Sequence, residues 1–274
     1  MKLVHLPGIN IGDGKLTIIA GPCMAESEEL CHQVAGTMQE ICASLDLPYI
    51  FKASFDKANR TSVGSQRGYG IDEGLKILSS VKENFSIPVT TDVHLPDQAK
   101  PAAQVVDILQ VPAFLCRQSD LLEACAATGK AVNVKKGQFL APQDTKNIVA
   151  KLESFNASGI MLTERGTSFG YNTLIVDMPG LETMRSFGHP VCFDATHSAQ
   201  RPGAAGTSTG GVRESIPAMA RAAVSVGIDA LFLEVHPNPS EALSDAATQW
   251  PLDQAAMLLQ QVAAFHRVRA LIDS

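Results

Sequence analysis

Four residues with metal-binding side chains occur far apart in the sequence, each in or after an apolar segment: Cys23, His197, Glu234 and Asp245. A thiolate with an imidazole and carboxylates suits a borderline divalent transition ion better than Mg²⁺. The set therefore predicts a metal site for Zn²⁺, Fe²⁺, Mn²⁺ or a similar ion, without choosing among them. Taken singly, Cys23 also fits an inert buried thiol, and His197 fits a hydrogen-bonded core histidine.

A second group of residues is cationic and also follows apolar segments: Lys52, Lys57, Lys135 and Arg165. Arginine binds a carboxylate or phosphate in a fork, and lysine supplies a compact charge, so the group predicts a site for a small anion bearing both. Arg60 and Lys136 add charge nearby. A Schiff-base lysine at a strand end is the competing interpretation. No G-x-x-x-x-G-K loop supports nucleotide binding.

These residues lie in or just after eight short apolar runs. The runs are predicted to be strands: Leu16–Ala20, Tyr49–Ala53, Pro88–Thr91, Val106–Gln110, Ala131–Val134, Gly159–Thr163, Pro190–Phe193 and Ala230–Val235. Helical patterns separate them: Ser27–Ser44, Asp72–Asn84, Pro96–Ala103, Asp120–Thr128, Pro142–Phe155, Gly180–Phe187, Val212–Val226 and Leu252–Leu271. Eight alternations in 274 residues predict an α/β fold of the (β/α)8 TIM-barrel type, with residues 1–274 as one domain. Polar groups after the strands then lie at the active-site end of the barrel.

Side chains two apart in a strand share a face, which predicts that most of these polar groups point inward together. Lys52 shares a face with Ser54, and Asp92 shares one with His94. The same parity includes Cys23 and His197 only if the strands before them stay extended for a few more residues.

The remaining connections give two further predictions. An N-terminal β-hairpin region at 1–15 is expected, with its turn at Gly12–Gly14 between Val4–Ile11 and Lys15–Ala20. The glycine-rich segments Lys57–Gly70 and Ser198–Gly211 are expected to be loops that close over a ligand.

Composition limits the function classes. A net charge of −6 argues against nucleic acid as a partner. No apolar run approaches the roughly 20 residues needed to span a bilayer, so no membrane segment is expected. The six cysteines have no C-x-x-C spacing and follow no signal peptide, which favours a reduced, cytoplasmic location.

The chain resembles the 3-deoxy-D-manno-octulosonate 8-phosphate (KDO 8-phosphate) synthases over nearly its whole length. The motifs that carry the resemblance are IAGPC (19–23), FKASFDKANRTS (51–62), TTDVH (90–94), QVPAFLCRQ (110–118), NVKKGQF (133–139), TERGTSFGY (163–171), FDATHS (193–198), LEVHP (233–237) and ALSDA (242–246). The most specific piece is KANR at 57–60, because the related DAHP synthases usually carry a K-P-R-T type sequence there. Thr61 replaces a common serine but keeps the hydroxyl.

The resemblance implies a homotetrameric transferase that condenses phosphoenolpyruvate with D-arabinose 5-phosphate and water for lipopolysaccharide biosynthesis. It implies catalytic roles for Lys57, Lys135, Arg165 and His197. It places phosphoenolpyruvate at Ser54, Lys57, Gln110, Lys135 and Arg165, with Lys52 beside it. It places the sugar phosphate at Asn59, Arg60 and, from a neighbouring subunit, Arg117. Because metal-independent members carry asparagine where this chain has Cys23, the resemblance also implies the metal-dependent group, with Cys23, His197, Glu234 and Asp245 as ligands.

Three alternatives stay open at this point. One is a DAHP synthase acting on erythrose 4-phosphate, which Asn59 disfavours. The second is a Schiff-base aldolase using Lys52 or Lys135. The third is a non-catalytic protein that binds a sugar phosphate.

Overall fold

The computed structural model describes residues 1–59, 64, 66–204 and 210–273, and within these ranges eight parallel strands form a closed barrel. The strands are β1 (Thr17–Gly21), β2 (Tyr49–Lys52), β3 (Val89–Asp92), β4 (Ile108–Val111), β5 (Ala131–Lys135), β6 (Ile160–Glu164), β7 (Val191–Asp194) and β8 (Ala230–His236). Each strand pairs with the next along the chain. Pairing of Phe232 in β8 with Ile19 in β1 closes the ring. The predicted barrel is therefore confirmed.

The strands are apolar because both of their faces are buried, as in other all-parallel sheets. Outward-facing residues pack against the helices in the larger core cluster. Inward-facing residues form a second buried cluster that fills the barrel and includes Ile19, Ile50, Ile108, Met161, Cys192 and Phe232. Polar residues take over from this cluster toward the carboxyl ends of the strands.

Helices follow the strands in the predicted alternation. They are α1 (Glu28–Ser44), α2 (Gly70–Phe85), α3 (Pro96–Ala103), α4 (Ser119–Ala126), α5 (Lys146–Ser154), α6 (Met178–Arg185), α7 (Ile216–Val226) and α8 (Ala255–Asp273). Ser27 caps α1 by accepting a hydrogen bond from the Leu30 N–H at 3.1 Å, and Gly227 ends α7 at φ +118°. Three predicted helices begin instead with 3₁₀ turns, at Pro142–Thr145, Arg213–Ser215 and Leu252–Gln254.

The N-terminal hairpin is present, but its predicted turn is wrong. Val4–Leu6 pairs antiparallel with Ile9–Ile11, so the chain reverses at Pro7 and Gly8. Proline fixes φ for the first central turn position, and Gly8 adopts φ +73° at the second. Val4 and Ile11 belong to the inward cluster of the barrel, so the hairpin covers its amino-terminal end.

The expected closing loops are only partly described. Arg60, part of the predicted sugar-phosphate site, lies outside the described residues, as do Thr61 and residues 205–209. After β7, Gln200–Arg201 pairs antiparallel with Gly210–Gly211. A second small hairpin, Thr167–Gly170 with Thr173–Ile175, follows β6.

All six cysteines are buried free thiols. In the described part of the chain, no helix combines the length and apolar character needed to cross a bilayer.

Candidate active site

A cavity of about 670 Å³ opens at the carboxyl ends of the barrel strands. Eight of the predicted site residues line it: Lys52, Lys57, Asn59, Gln110, Lys135, Arg165, His197 and Asp245. Three others are fully buried and contact that lining. Ser54 accepts a hydrogen bond from Lys52, Cys23 contacts Asp245, and Glu234 faces His197. The inward parity predicted for the strand ends is thus confirmed.

The four predicted metal ligands converge at one side of this cavity. One ligand atom each from Cys23, Glu234 and Asp245 lies within 4.8 Å of the others. The Nε2 atom of His197 lies 3.6 Å from Glu234 Oε1 and 3.7 Å from Asp245 Oδ2. Residues separated by more than 200 positions meet because β1, β7 and β8 are neighbours where the barrel closes.

The chemistry of this group fits a divalent cation. Both carboxylate oxygens of Glu234 are buried without a hydrogen-bond partner among the described residues, and the Lys57 Nζ comes only to 3.7 Å of Oε1, so both oxygens keep the capacity to bind a cation directly. Burial raises the pKa of the Cys23 thiol well above its ordinary value, and Glu234 and Asp245 raise it further. Binding of a metal by the thiolate would therefore release a proton.

His197 reaches the site by a different route from the one predicted. The strand parity that would include His197 requires an extended chain as far as this residue, but β7 ends at Asp194 and a single helical turn, Ala195–Ser198, follows. The Asp194 carboxylate caps that turn by accepting a hydrogen bond from the His197 N–H at 2.9 Å. Local capping thus overrides strand propagation and turns the imidazole toward Glu234 and Asp245.

Lys52 and Asp92 form a buried polar network at the ends of β2 and β3. The Lys52 Nζ donates to Ser54 Oγ at 2.6 Å and lies 3.2 Å from Asp92 Oδ1. Burial lowers the pKa of Lys52, an effect that Asp92 opposes. Lys57 extends the network, with its Nζ 3.7 Å from Glu234 Oε1. The network connects the cationic group to the candidate metal ligands.

Gln110 on β4 and Arg165 after β6 present unpartnered polar atoms on either side of β5. The Arg165 Nη2 donates to Gln200 Oε1 at 2.9 Å, whereas its Nη1 has no hydrogen-bond partner within the described residues. The Gln110 Oε1 is likewise buried and without a described partner. Lys135 stands between them, with its Nζ donating to Asp194 Oδ2 at 2.5 Å and lying 4.0 Å from the Phe232 ring centroid. These groups can bind an anionic ligand that occupies the cavity.

Two predicted cations do not line this cavity. Arg117 is exposed beyond the 3₁₀ turn Ala113–Leu115 that follows β4, and its carbonyl accepts a hydrogen bond from Lys151 Nζ at 3.0 Å. Lys136 directly follows the last residue of β5 and points away from the cavity, where it is fully buried against Glu164. Adjacent residues of a strand face opposite ways, so only Lys135 of the pair points inward.

Sequence reasoning missed three polar residues that support the site. Asp194 holds both Lys135 and His197, Gln200 holds Arg165, and the Gln249 side chain accepts a hydrogen bond from the Cys23 N–H at 3.1 Å. Asp194 could have been found from strand parity, because it lies two residues after the inward-facing Cys192. No comparable pattern marks Gln200 or Gln249.

A closed parallel barrel with clustered cations beside a thiol, an imidazole and two carboxylates defines a barrel enzyme that acts on small anionic molecules. The sequence matches the DAHP synthetase I family over residues 2–268, and the chain belongs to this family.

Similar curated proteins carry one name, 2-dehydro-3-deoxyphosphooctonate aldolase. The protein of that name from Cyanothece sp. is 55% identical over 271 residues, which cover 98% of this chain and 99% of the relative. The one from Trichlorobacter lovleyi is 53% identical and covers 97% of this chain and 98% of its own length. The one from Fusobacterium nucleatum is 58% identical over 85% of this chain and 84% of its own length. These matches confirm the family resemblance carried by the sequence motifs.

Proposed function

We propose that the protein catalyses the reaction of the KDO 8-phosphate synthases. Phosphoenolpyruvate, D-arabinose 5-phosphate and water give KDO 8-phosphate and inorganic phosphate, for lipopolysaccharide biosynthesis. The observation that carries this proposal is the placement of Lys57, Lys135 and Arg165 around a cavity that Asp245 also lines, with Cys23 and Glu234 clustered behind Asp245. The curated relatives are named for 2-dehydro-3-deoxyphosphooctonate, which corresponds to the product of this reaction.

In the proposed reaction, C3 of phosphoenolpyruvate forms a bond to the sugar aldehyde carbon while water adds at C2. Breakage of the C2–O bond then releases phosphate. Negative charge develops on the oxygens of both substrates, and Lys57, Lys135 and Arg165 lie around the cavity to offset it. Because Lys135 and Arg165 are buried, Lys57 is mostly buried and all three contact neighbouring polar groups, their stabilisation is preorganised.

The residues that would hold a divalent ion are Cys23, His197, Glu234 and Asp245. Such an ion would supply Lewis-acid chemistry, which could orient the aldehyde or activate the water. Their own contribution is a compact, mostly anionic donor set next to Lys57. Zn²⁺, Fe²⁺ and Mn²⁺ are all compatible with these donors.

The sugar phosphate would be bound by Asn59, which lines the cavity, and by Arg60, which lies outside the described residues. We also propose a homotetramer in which Arg117 enters the cavity of a neighbouring subunit, since it does not line the cavity of its own chain. We further expect a cytoplasmic location.

Phosphate release tests the reaction directly. Chelator-stripped protein is given phosphoenolpyruvate with arabinose 5-phosphate, and each divalent metal is then restored separately. We expect activity to return only with metal. Activity only with erythrose 4-phosphate would instead identify a DAHP synthase, and tight binding without phosphate release would identify a binding protein.

The environment of Lys52 favours a second mechanism, that of a Schiff-base aldolase, enough to test it. The buried Lys52, with its lowered pKa, has a property of lysines that form Schiff bases. Borohydride reduction in the presence of substrate would attach the substrate covalently to Lys52 or Lys135 if an imine forms. Mass spectrometry showing unmodified peptides in an active sample would exclude the aldolase mechanism.

Subunit mixing tests the role of Arg117. Arg117→Ala and Lys57→Met variants are each expected to be nearly inactive. Mixed after dissociation, they should regain activity, because some cavities then receive an intact Lys57 and a neighbour's intact Arg117. Mixtures no more active than their components would refute the shared site.

A further inference from the structure

Lys136 and Glu164 form a fully buried ion pair outside the cavity, with Lys136 Nζ 3.5 Å from Glu164 Oε2. The pair joins the ends of β5 and β6, the strands that carry Lys135 and lead to Arg165. The proposed reaction does not use the charge of either residue. Burying two charges costs free energy in desolvation, so such a pair is a weak source of stability and calls for another explanation.

The Glu164 carboxylate fixes the backbone from which Arg165 projects. Its Oε1 accepts hydrogen bonds from the N–H groups of Arg165 at 3.0 Å and Gly166 at 2.6 Å. Gly166 adopts φ +91°, a conformation that L residues rarely take, so the chain turns sharply there. The carboxylate therefore holds the direction in which the Arg165 side chain leaves the strand.

Lys136 connects this turn to the segment after β5. Its Nζ donates to the Leu140 carbonyl at 3.0 Å and to Thr167 Oγ1 at 2.9 Å. The Ser168 N–H also donates to the Gln138 carbonyl at 2.8 Å, which ties the same two segments together. One ammonium group thus links the Glu164 carboxylate, the loop after β5 and the hairpin after β6.

We propose that Lys136 and Glu164 are positioning residues that hold Arg165 in the orientation that binds the anionic substrate. The inference rests on the proposed function, in which Arg165 binds phosphoenolpyruvate. Arg165 has one guanidinium nitrogen bound to Gln200 and another without a described partner, so a shift of its backbone would move the free fork relative to the cavity.

The double variant K136M/E164Q is the main test. It removes both charges together, so no unpaired charge is left in the interior and the chain is expected to fold. The glutamine retains a carbonyl oxygen for the two backbone N–H groups, but its link to residue 136 is lost. The single variant K136R keeps the cation, so it should bind phosphoenolpyruvate more tightly than K136M/E164Q does.

A matched control lies at the opposite end of the barrel. Lys82 Nζ lies 2.7 Å from Asp107 Oδ1 and donates to the Val105 carbonyl at 2.9 Å, while Asp107 Oδ2 accepts a hydrogen bond from the Val89 N–H at 3.0 Å. This pair has a similar pattern of hydrogen bonds and no neighbour in the cavity, although the Lys82 side chain is one-third exposed. K82M/D107N therefore reports whether loss of a lysine–carboxylate pair away from the cavity changes ligand binding.

Phosphoenolpyruvate binding is measured by calorimetry, with the melting temperature of each variant as a check on folding. We expect Kd to rise about tenfold or more in K136M/E164Q, since small misplacements of binding groups cost up to about 100-fold in rate. K82M/D107N should leave Kd unchanged. A wild-type Kd in folded K136M/E164Q would overturn the proposal.

A thermodynamic cycle with Arg165→Lys tests whether the pair acts through Arg165. If it does, K136M/E164Q should change Kd much less in the R165K background than in the wild type. An equal change in both backgrounds would refute positioning. Wild-type protein that binds phosphoenolpyruvate but releases no phosphate with any sugar phosphate would refute the proposed reaction and leave this comparison of Kd values intact.

Discussion

Asp194 Oδ2 lies 2.7 Å from Nδ1 of His197, which leaves the Nε2 of that imidazole facing Glu234 and Asp245. A carboxylate at one ring nitrogen fixes the tautomer and orientation in which the other nitrogen can bind a metal. Burial raises the pKa of Asp194, but His197 and Lys135 outweigh it and hold the pKa well below its usual range. Asp194 is thus an anion at neutral pH. It orients His197, the proposed metal ligand three residues later in the chain.

We therefore predict that Asp194→Asn lowers the affinity for a divalent metal by about 10- to 100-fold, as expected when the outer partner of a metal-bound histidine is lost. Competition with a fluorescent chelator would measure that affinity. Asp229→Asn is the control, because Asp229 is also buried but holds the Val191 N–H at the other end of β7. Equal metal affinity in Asp194→Asn and the wild type would contradict the orienting role.

Replacement of Cys23 tests the thiolate as a ligand. Cys23→Asn should bind metal more weakly, because an amide oxygen is a poorer ligand than a thiolate for borderline transition ions. It should also release some phosphate without metal, which the wild type should not, because the resemblance places asparagine at this position in metal-independent members. Metal analysis after dialysis, with Cys42→Ala on α1 as the control, would measure the first effect. Unchanged metal content in the variant would exclude Cys23 as a ligand.

Strand parity explains why so much of the site could be predicted from the sequence. Lys52, Asp92, Lys135 and Glu234 are inward-facing by alternation alone, and a closed barrel brings all inward-facing strand ends to one cavity. Cys23 and Asp245 follow strands that become neighbours only on closure, and they still converge within 4.8 Å with Glu234. The period of two is sufficient for the four strand residues, whereas Cys23 and Asp245 lie beyond the ends of their strands and only the topology predicts that they approach Glu234.

The features that could not be predicted depend on local backbone geometry or on long-range partners. His197 is placed by a helical turn capped by Asp194 rather than by a longer strand. The hairpin turn at Pro7 and Gly8 competes with a second glycine-containing segment at Gly12–Gly14, and the sequence pattern alone favours the wrong one. Gln200 and Gln249 become site residues only through contacts with Arg165 and Cys23, and no spacing in the sequence encodes those contacts.

The Lys52–Asp92 pair predicts a dependence of stability on pH. Burial raises the pKa of Asp92, but Lys52 and His94 outweigh it and lower the pKa well below its ordinary value. The unfolded chain then binds a proton more readily than the folded chain does. The contribution of Asp92 to stability is therefore fully present above the unfolded pKa of about 3.9, and it is lost as the pH falls through the lower folded pKa.

Asp92→Asn should accordingly lower the free energy of unfolding by about 3 kcal/mol near neutral pH, because it leaves a buried lysine without its closest anion. The difference from the wild type should shrink below about pH 4. Urea unfolding across this pH range would measure both effects, with Asp253→Asn as a control for the loss of an exposed charge. A difference that stays constant down to the lowest pH would show that the ion pair is not its source.

At Gly21, β1 and β2 approach each other too closely to leave room for a side chain. A Cβ atom at this position would lie 2.0 Å from the Lys52 carbonyl oxygen, a backbone atom that can move only with its strand. Gly21→Ala should therefore destabilise the fold by about 3 kcal/mol, at the upper end of the usual cost of overpacking. It should also lower activity, because the displaced backbone carries Lys52 on one strand and leads to Cys23 on the other. Thermal unfolding and phosphate release would measure the two effects.

Gly170→Ala is the control and should change neither stability nor activity, since a Cβ there meets no atom within 4 Å. Wild-type stability in Gly21→Ala would mean that β1 and β2 can separate without cost, and then the close approach could not be what fixes Lys52 beside Cys23.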